Sequence, residues 1–377
     1  MSEETASAYE IGGFVDHHTH LLKTAARQPW PWEGTTVREF HHRIWREGSS
    51  PMDIGEPSIS ASRGELAGRL LQGLSQAAGL GLVEITEMGM RDWAYLDALT
   101  WTGTLPVRVR IYLASGLAES APLSELAARR GDAGPWISLD GIKFYADGWL
   151  VPRTCAVCRE FDDTGSGGLL FTDAATLARR IGPFAGNGWR IATHAIGDLA
   201  VRTVLDAYEL AWDNDARAIA AAAPRIEHAS LLPADAIARM TELGVWACIQ
   251  PSFAVTDDSH IEPALGTEGG SIAYPWAPLA EAGTKLLLGT DYPIEVLDPL
   301  TGLARLVNGR SDRPGQSTDR TAPGRSRLPL DRALGLLCDE SAGTTVISAN
   351  PATIRPAEID RLQAISTTPA PFSITSG

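Results

Sequence analysis

The chain has 377 residues, 44% of them hydrophobic and 21% charged, a globular balance sufficient for one large barrel or two ordinary domains. Its 46 acidic and 32 basic side chains give a net charge of −14 with no basic cluster, which argues against a nucleic-acid partner. No stretch approaches the ~20 apolar residues of a membrane helix, and Met1–Glu10 has no basic or apolar leader, so a soluble, cytoplasmic protein with no membrane partner is expected.

From the first apolar segment onward, short β-branched runs alternate with Ala/Leu-rich stretches of helical period. Strands are predicted at Phe14–His18, Leu82–Glu87, Val107–Leu113, Gly141–Ala146, Arg190–His194, Arg225–His228, Val245–Gln250 and Lys285–Thr290. Helices are predicted at Ser62–Ala78, Ala174–Phe184, Leu199–Ala211, Pro233–Leu243 and Pro278–Ala282, with Asp173 capping the second and Pro233 early in the fourth. The insertion after the first strand holds Trp30, Trp32 and Trp45, read as a lid, and His41 and His42, read as surface residues. Cys155 and Cys158 lack the second pair of a structural zinc site and read as loop thiols. Asp162–Gly168 reads as a flexible loop, Ser311–Arg327 as a solvated loop and Thr367–Gly377 as a poorly ordered tail.

Eight strands alternating with helices predict an α/β fold, a closed (β/α)8 TIM barrel rather than an open doubly wound sheet. Neither G-x-G-x-x-G after the first strand nor a P-loop is present, which removes support for dinucleotide and nucleotide binding.

In such a barrel the reactive groups stand at the C-terminal ends of strands, which share one mouth. Strand one ends in Asp16-His17-His18-Thr19-His20, strand five at His194, strand six at His228, and strand eight runs into Asp291. Alternation along an extended chain puts His18 and His20 on one face, able to grip a single ion, and turns His17 away. A lone strand-end histidine is ordinarily a hydrogen-bonded structural residue. Four of them with one aspartate at a common rim point to a metal site. Imidazole and carboxylate ligands suit zinc, or manganese, iron or nickel. Such an ion lowers the pKa of water toward neutrality, and Asp291 could orient that water and pass its proton to a leaving nitrogen. Lys143, in Gly-Ile-Lys-Phe-Tyr-Ala-Asp-Gly, is read from the residues alone as a salt-bridge partner, with Asp147 nearby.

The runs Phe-Val-Asp-His-His-Thr-His (14–20), Gly-Ile-Lys-Phe-Tyr-Ala-Asp-Gly (141–148), Thr-His-Ala-Ile-Gly-Asp (193–198), Arg-Ile-Glu-His-Ala (225–229) and Leu-Gly-Thr-Asp-Tyr-Pro (288–293) resemble the amidohydrolase superfamily. The branch is similar to amidohydrolase family 3, which includes N-substituted formamide deformylases, and the likeness runs from Gly12 to Asp339. It implies one ion on His18, His20 and Asp291 and a second on His194 and His228. It also implies Lys143, carboxylated by carbon dioxide, as a carbamate between them. Family members carry a small β-sandwich, which the resemblance makes truncated or vestigial here. The expected division is a barrel over 12–340, with 1–11 and 341–377 as a remnant and Gly343–Ile354 as a remnant strand.

The implied activity is hydrolysis of an amide-type C–N bond in a small molecule, an N-acyl, N-formyl or cyclic amide, with Asp291 as proton shuttle. Trp149, Arg153, Tyr145 and Tyr292 are the substrate-binding candidates, and eleven tryptophans suit an aromatic or apolar substrate. The competing readings are a metal-dependent decarboxylase, isomerase or cyclase on the same platform, and a metal-binding barrel that has lost turnover. No nucleic acid or membrane partner is expected, and a homodimer is left open.

Overall fold

The computed structural model describes residues 8–26, 61–313 and 321–373. Trp30, Trp32, Trp45, His41 and His42 lie outside the described residues. So do the N-terminal residues 1–7, the middle of the 311–327 stretch and the last four residues.

Among the described residues, ten strands form one sheet in the order β10-β9-β1-β2-β3-β4-β5-β6-β7-β8. They are β1 (Tyr9–Thr19), β2 (Leu82–Met90), β3 (Arg108–Ala114), β4 (Ile137–Tyr145), β5 (Arg190–Ala195), β6 (Arg225–His228), β7 (Trp246–Ile249), β8 (Leu286–Leu288), β9 (Cys338–Ile347) and β10 (Ala364–Pro369). Strands β1 to β8 pair in parallel, each with the next, and helices fill the connections. No regular ladder joins β8 to β1. The circuit is closed by the segment just past β8: Asp291 N donates to His18 O and His20 N to Tyr292 O, both at 2.7 Å. This is the (β/α)8 barrel, with all eight predicted strands at their expected places.

The hydrophobic core lies between the strands' outer faces and the helices. Helix Arg63–Gly79 turns Leu66, Leu70, Leu74 and Ala77 inward along one stripe, each no more than 2% exposed. Ser62 and Glu65 close a reciprocal capping box at its start, one residue from the predicted boundary. Asp173 caps helix Ala174–Ala185 as expected, accepting from Thr176 N. Inside the barrel, Met88, Tyr112 and Ala192 pack together below the mouth.

Several expectations are corrected. Helices Trp93–Thr102, Leu123–Asp132, Pro299–Asn308 and Leu330–Leu337 were not predicted, and the helix expected to stop at Ala211 runs on to Ala221 across a break at Asp215. The tail is not loose from Thr367: Ala364–Pro369 pairs antiparallel with β9, which pairs in turn with the first half of β1. The strand expected at Gly343–Ile354 is Cys338–Ile347. Arg325 and Ser326 are anchored rather than solvated, donating to Ala273 O, Gly270 O and Tyr274 O. Among the described residues, no helix is long and apolar enough to cross a membrane.

Candidate metal centre

His18, His20, Lys143, His194, His228 and Asp291 all line one cavity of about 150 Å³ at the C-terminal ends of the strands. Alternation along β1 does put His18 and His20 on a common side, with ring centroids 5.4 Å apart. His228 follows at 5.0 Å from His18, and His194 at 4.5 Å from His228, so the rings form a continuous arc.

Each of three imidazoles has its proton assigned by a neighbour that can only accept. His18 Nδ1 lies 2.5 Å from Glu227 Oε2. His228 Nδ1 lies 2.9 Å from Gln250 Oε1, and the Gln250 amide is oriented by its Nε2 donating to Cys248 O. His194 Nε2 lies 2.8 Å from the Gly148 carbonyl. Protons on Nδ1, Nδ1 and Nε2 leave Nε2 of His18, Nε2 of His228 and Nδ1 of His194 as lone pairs. Burial, then the Lys143 charge, holds His18 well below the usual imidazole range, and burial, then His194, does the same for His228. The His18 and His228 rings therefore stay neutral, which is the ligating form.

Asp291 completes the arc. Its Oδ1 stands 3.4 Å from His18 Nε2 and 3.2 Å from His20 Nε2. Asp291 and His228 both adopt left-handed backbone, at φ 58° and 77°, a conformation that non-glycine residues hold only where the surroundings impose it. At Asp291 that imposition comes from β1. Asp16 accepts from Thr290 N, Thr290 Oγ1 and His18 N, clamping the two strand ends together. Gly289 permits the approach, since a Cβ there would stand 2.5 Å from His18 Cβ. Burial pushes the Asp291 carboxyl up to about 7, against the pull of Lys143 and His194.

Lys143 is buried at 1% exposure, on β4. Burial pushes its amine down to about 8, opposed by the charges of Glu227 and Asp291. The expected salt bridge to Asp147 is not formed. Asp147 instead accepts from the amides of Ala156, Ile196 and Gly197 and lies 3.4 Å from His194 Nε2. His17 does not line the cavity, and burial followed by the charges of Arg225 and Arg110 holds it at about 3.

Of the substrate-binding candidates, Trp149 and Tyr145 line the cavity and the other two do not. Arg153 is turned aside because its guanidinium pairs with Asp163 and donates to Leu150 O and Val151 O. Tyr292 contributes its carbonyl to the barrel closure and packs against the core. Sequence reasoning missed Glu227 and Gln250 as orienting partners, and Arg91 and Phe253 as cavity residues. The signal for Glu227 was its place directly before His228; for Gln250 it was its place directly after β7, in Ile-Gln-Pro.

The donor set fits a divalent cation. Among the described residues, His18, His228 and Asp291 place ligand atoms within 4.8 Å of one another, each imidazole held from behind. A second such group, His18, Glu227 and Cys248, fits poorly. Glu227 is engaged by Arg225 and His18, and burial drives the Cys248 thiol well above its usual range, away from the thiolate a metal needs.

A (β/α)8 barrel with imidazoles and a carboxylate gathered at its mouth has the architecture of a metal-dependent hydrolase. The chain belongs to the amidohydrolase family, whose sequence profile matches residues 52–356. It is 30% identical over 253 residues to the Bacillus subtilis (strain 168) protein "Putative amidohydrolase YtcJ", covering 61% of this chain and 46% of that one. It is 26% identical over 244 residues to "Protein LONG AFTER FAR-RED 3" of Arabidopsis thaliana, covering 60% of this chain and 41% of the relative. The chain thus spans less than half the length of these curated relatives. Two uncharacterized metal-dependent hydrolases share the fold. The one from Pyrococcus furiosus has a TM-score of 0.67 at 21% identity, over 96% of this chain and 85% of its own. The one from Pyrococcus horikoshii OT3 has 0.69 at 18%, over 93% and 88%.

Proposed function

We propose that this protein is a metal-dependent hydrolase that opens an amide-type C–N bond, N-acyl, N-formyl or cyclic, in a small molecule. The observation that carries the reading is the set of imidazole tautomers, each of which leaves a lone pair for a cation, with ligand atoms of His18, His228 and Asp291 within 4.8 Å of one another. In this reading His18, His20 and Asp291 hold one ion, zinc being the first candidate, and His194 and His228 hold a second. Lys143, carboxylated by carbon dioxide with loss of a proton, would add an anionic ligand to this set. The bound cation supplies Lewis acidity that draws the pKa of water toward neutrality.

The chain's own residues supply orientation and proton transfer. Asp291 takes a proton from water as the water oxygen bonds to the carbonyl carbon. The C–N bond then breaks with its electron pair leaving on nitrogen, and Asp291 returns the proton there, releasing an amine and an acid. Trp149 and Phe253 form an apolar wall that limits competing solvent.

The test is metal analysis together with product analysis on N-formyl and N-acyl amides. The reading expects about one to two divalent ions per chain and equimolar amine and acid. It also expects turnover to fall at least ~100-fold in Asp291→Asn. Carbon dioxide release without an amine, or full activity in folded protein stripped of metal, overturns the reading.

A further inference from the structure

Resting on the metal-centre reading above, we propose that Asp147 is a positioning residue that locks the loop after β4 to His194. The apolar wall at Trp149 and one metal ligand then behave as a single body.

Asp147 lies two residues beyond β4 and is 1% exposed, yet among the described residues no lysine or arginine pairs with it. A carboxylate held inside a protein without a cation is costly unless several donors face it. Here Oδ2 accepts from Ala156 N at 3.0 Å and Gly197 N at 2.8 Å. Oδ1 accepts from Ile196 N at 3.0 Å and lies 3.4 Å from His194 Nε2. One side chain thus joins the end of β4, the far side of its loop, and the turn between β5 and helix Asp198–Ala221.

The loop between these ties is a closed turn. Trp149 O accepts from the amides of Thr154 and Cys155, and Trp149 N donates to Thr154 Oγ1 at 2.9 Å. At the start of the turn, the Gly148 carbonyl lies 2.8 Å from His194 Nε2. On its far side Ala156 O accepts from Leu199 N at 3.1 Å. Only glycine at 197 admits that approach, since a Cβ there would stand 1.9 Å from Ala156 O. The wall continues from Trp149 to Phe253, with rings 6.4 Å apart, and Phe253 stacks on His228 at 5.9 Å.

The negative charge has a use beyond closing a turn. His194 Nε2 meets two acceptors, Gly148 O and Asp147 Oδ1, so its proton stays there and Nδ1 keeps its lone pair. A carboxylate beside the second nitrogen of a ligating imidazole raises the ligand's basicity. Asparagine could not replace it: one accepting oxygen would face three amides, and its NH2 would oppose at least one of them. Because His194 is held through Gly148 and Asp147, tightening at the cation must tighten the loop in return.

The test titrates metal-stripped wild type, Asp147→Asn and Thr154→Val with zinc by calorimetry. Hydrogen exchange over 148–157 and 194–200 is followed with and without zinc. Thr154→Val loosens the turn and leaves the Asp147 contacts in place. In metal-free Asp147→Asn, exchange at Ala156, Ile196 and Gly197 should rise about 10- to 100-fold. Zinc affinity should fall about 10- to 100-fold in the same variant and stay at the wild-type value in Thr154→Val. Zinc should slow exchange over 148–157 in wild type by about 5-fold or more, and this protection should vanish in Asp147→Asn.

Unchanged zinc affinity in folded Asp147→Asn overturns the proposal and marks Asp147 as a support for the turn only. Equal loss of affinity in Thr154→Val overturns it too, as does zinc-loaded wild type with no added protection of the loop. That last comparison needs no variant and decides the linkage even where Asp147→Asn does not fold. Faster exchange in metal-free Asp147→Asn, with no zinc uptake by wild type, keeps the tie and sinks the hydrolase reading. Tight zinc binding that is alike in wild type and Asp147→Asn does the reverse.

Discussion

The 2.5 Å hydrogen bond between His18 Nδ1 and Glu227 Oε2 ties β1 to β6 across the barrel and fixes the proton of the first imidazole. Glu227 is also paired with Arg225, so a single fully buried carboxylate orients a ligand and neutralises an interior guanidinium. Glu227→Gln keeps an acceptor for His18 but withdraws the charge. We expect divalent-metal affinity to fall about 10- to 100-fold with the fold retained. Competitive chelator titration alongside circular dichroism checks this.

His20 is 24% exposed while His18 is 1% exposed, so the two members of H-x-H should respond differently to truncation. His20→Ala should lose metal with little change in the stability of the metal-free protein, within about 0.5 kcal/mol. His18→Ala should lose metal and also destabilise, by about 1–3 kcal/mol, because Glu227 is left buried without this donor. Metal analysis paired with urea unfolding of the stripped proteins separates the outcomes.

Gly289→Ala tests the closure of the barrel. Its Cβ would meet His18 N at 2.8 Å as well as His18 Cβ, so relief requires backbone movement rather than a rotamer change. A loss of about 1–3 kcal/mol is expected. Because the displaced residue is His18, metal affinity should fall in the same variant. Unchanged stability would mean that the two strand ends can separate freely.

Acid sensitivity should originate partly below the site. Asp140 is largely buried, which alone would raise its pKa, but Arg110, Ser138 and Arg190 outweigh this and hold it below the usual carboxylate range. A depressed folded pKa contributes stability above the unfolded value of about 4, and this is lost as pH falls through the folded value. Asp140→Asn should therefore be less stable than wild type near neutrality, by about 3 kcal/mol. That gap should close below about pH 4. Denaturant midpoints measured across this window give the answer.

The barrel and five of its convergent residues were legible because the strands are short, β-branched and punctuated, and because each of the five sits where a strand ends; Lys143, inside β4, entered only through the family resemblance. What escaped has physical reasons. Helix Trp93–Thr102 is apolar on nearly every side, so it has little periodicity to detect. Helix Asp198–Ala221 carries Asp213-Asn214-Asp215, a polar run that reads as a terminus although the helix resumes beyond it. Lys143 and Asp147 are close in sequence, yet Asp147 is drawn away by three backbone amides that no local pattern reveals. Arg153 follows the lysine motif but is captured by Asp163, ten residues further on. Glu227 and Gln250 were visible as letters; their roles depend on facing strands.

Strand β1 carries His18 and His20 in its second half, while its first half, Tyr9–Gly12, is stitched to Thr344–Ile347 and, through that strand, to Ala364–Pro369. Shortening the protein at its C-terminal side by these two strands would leave a row of bare peptide groups on β1, open to self-association. Purification tags and reporter fusions placed within this hairpin would therefore disturb chemistry at the far end of the same strand, whereas extensions beyond Phe372 would leave that seam intact.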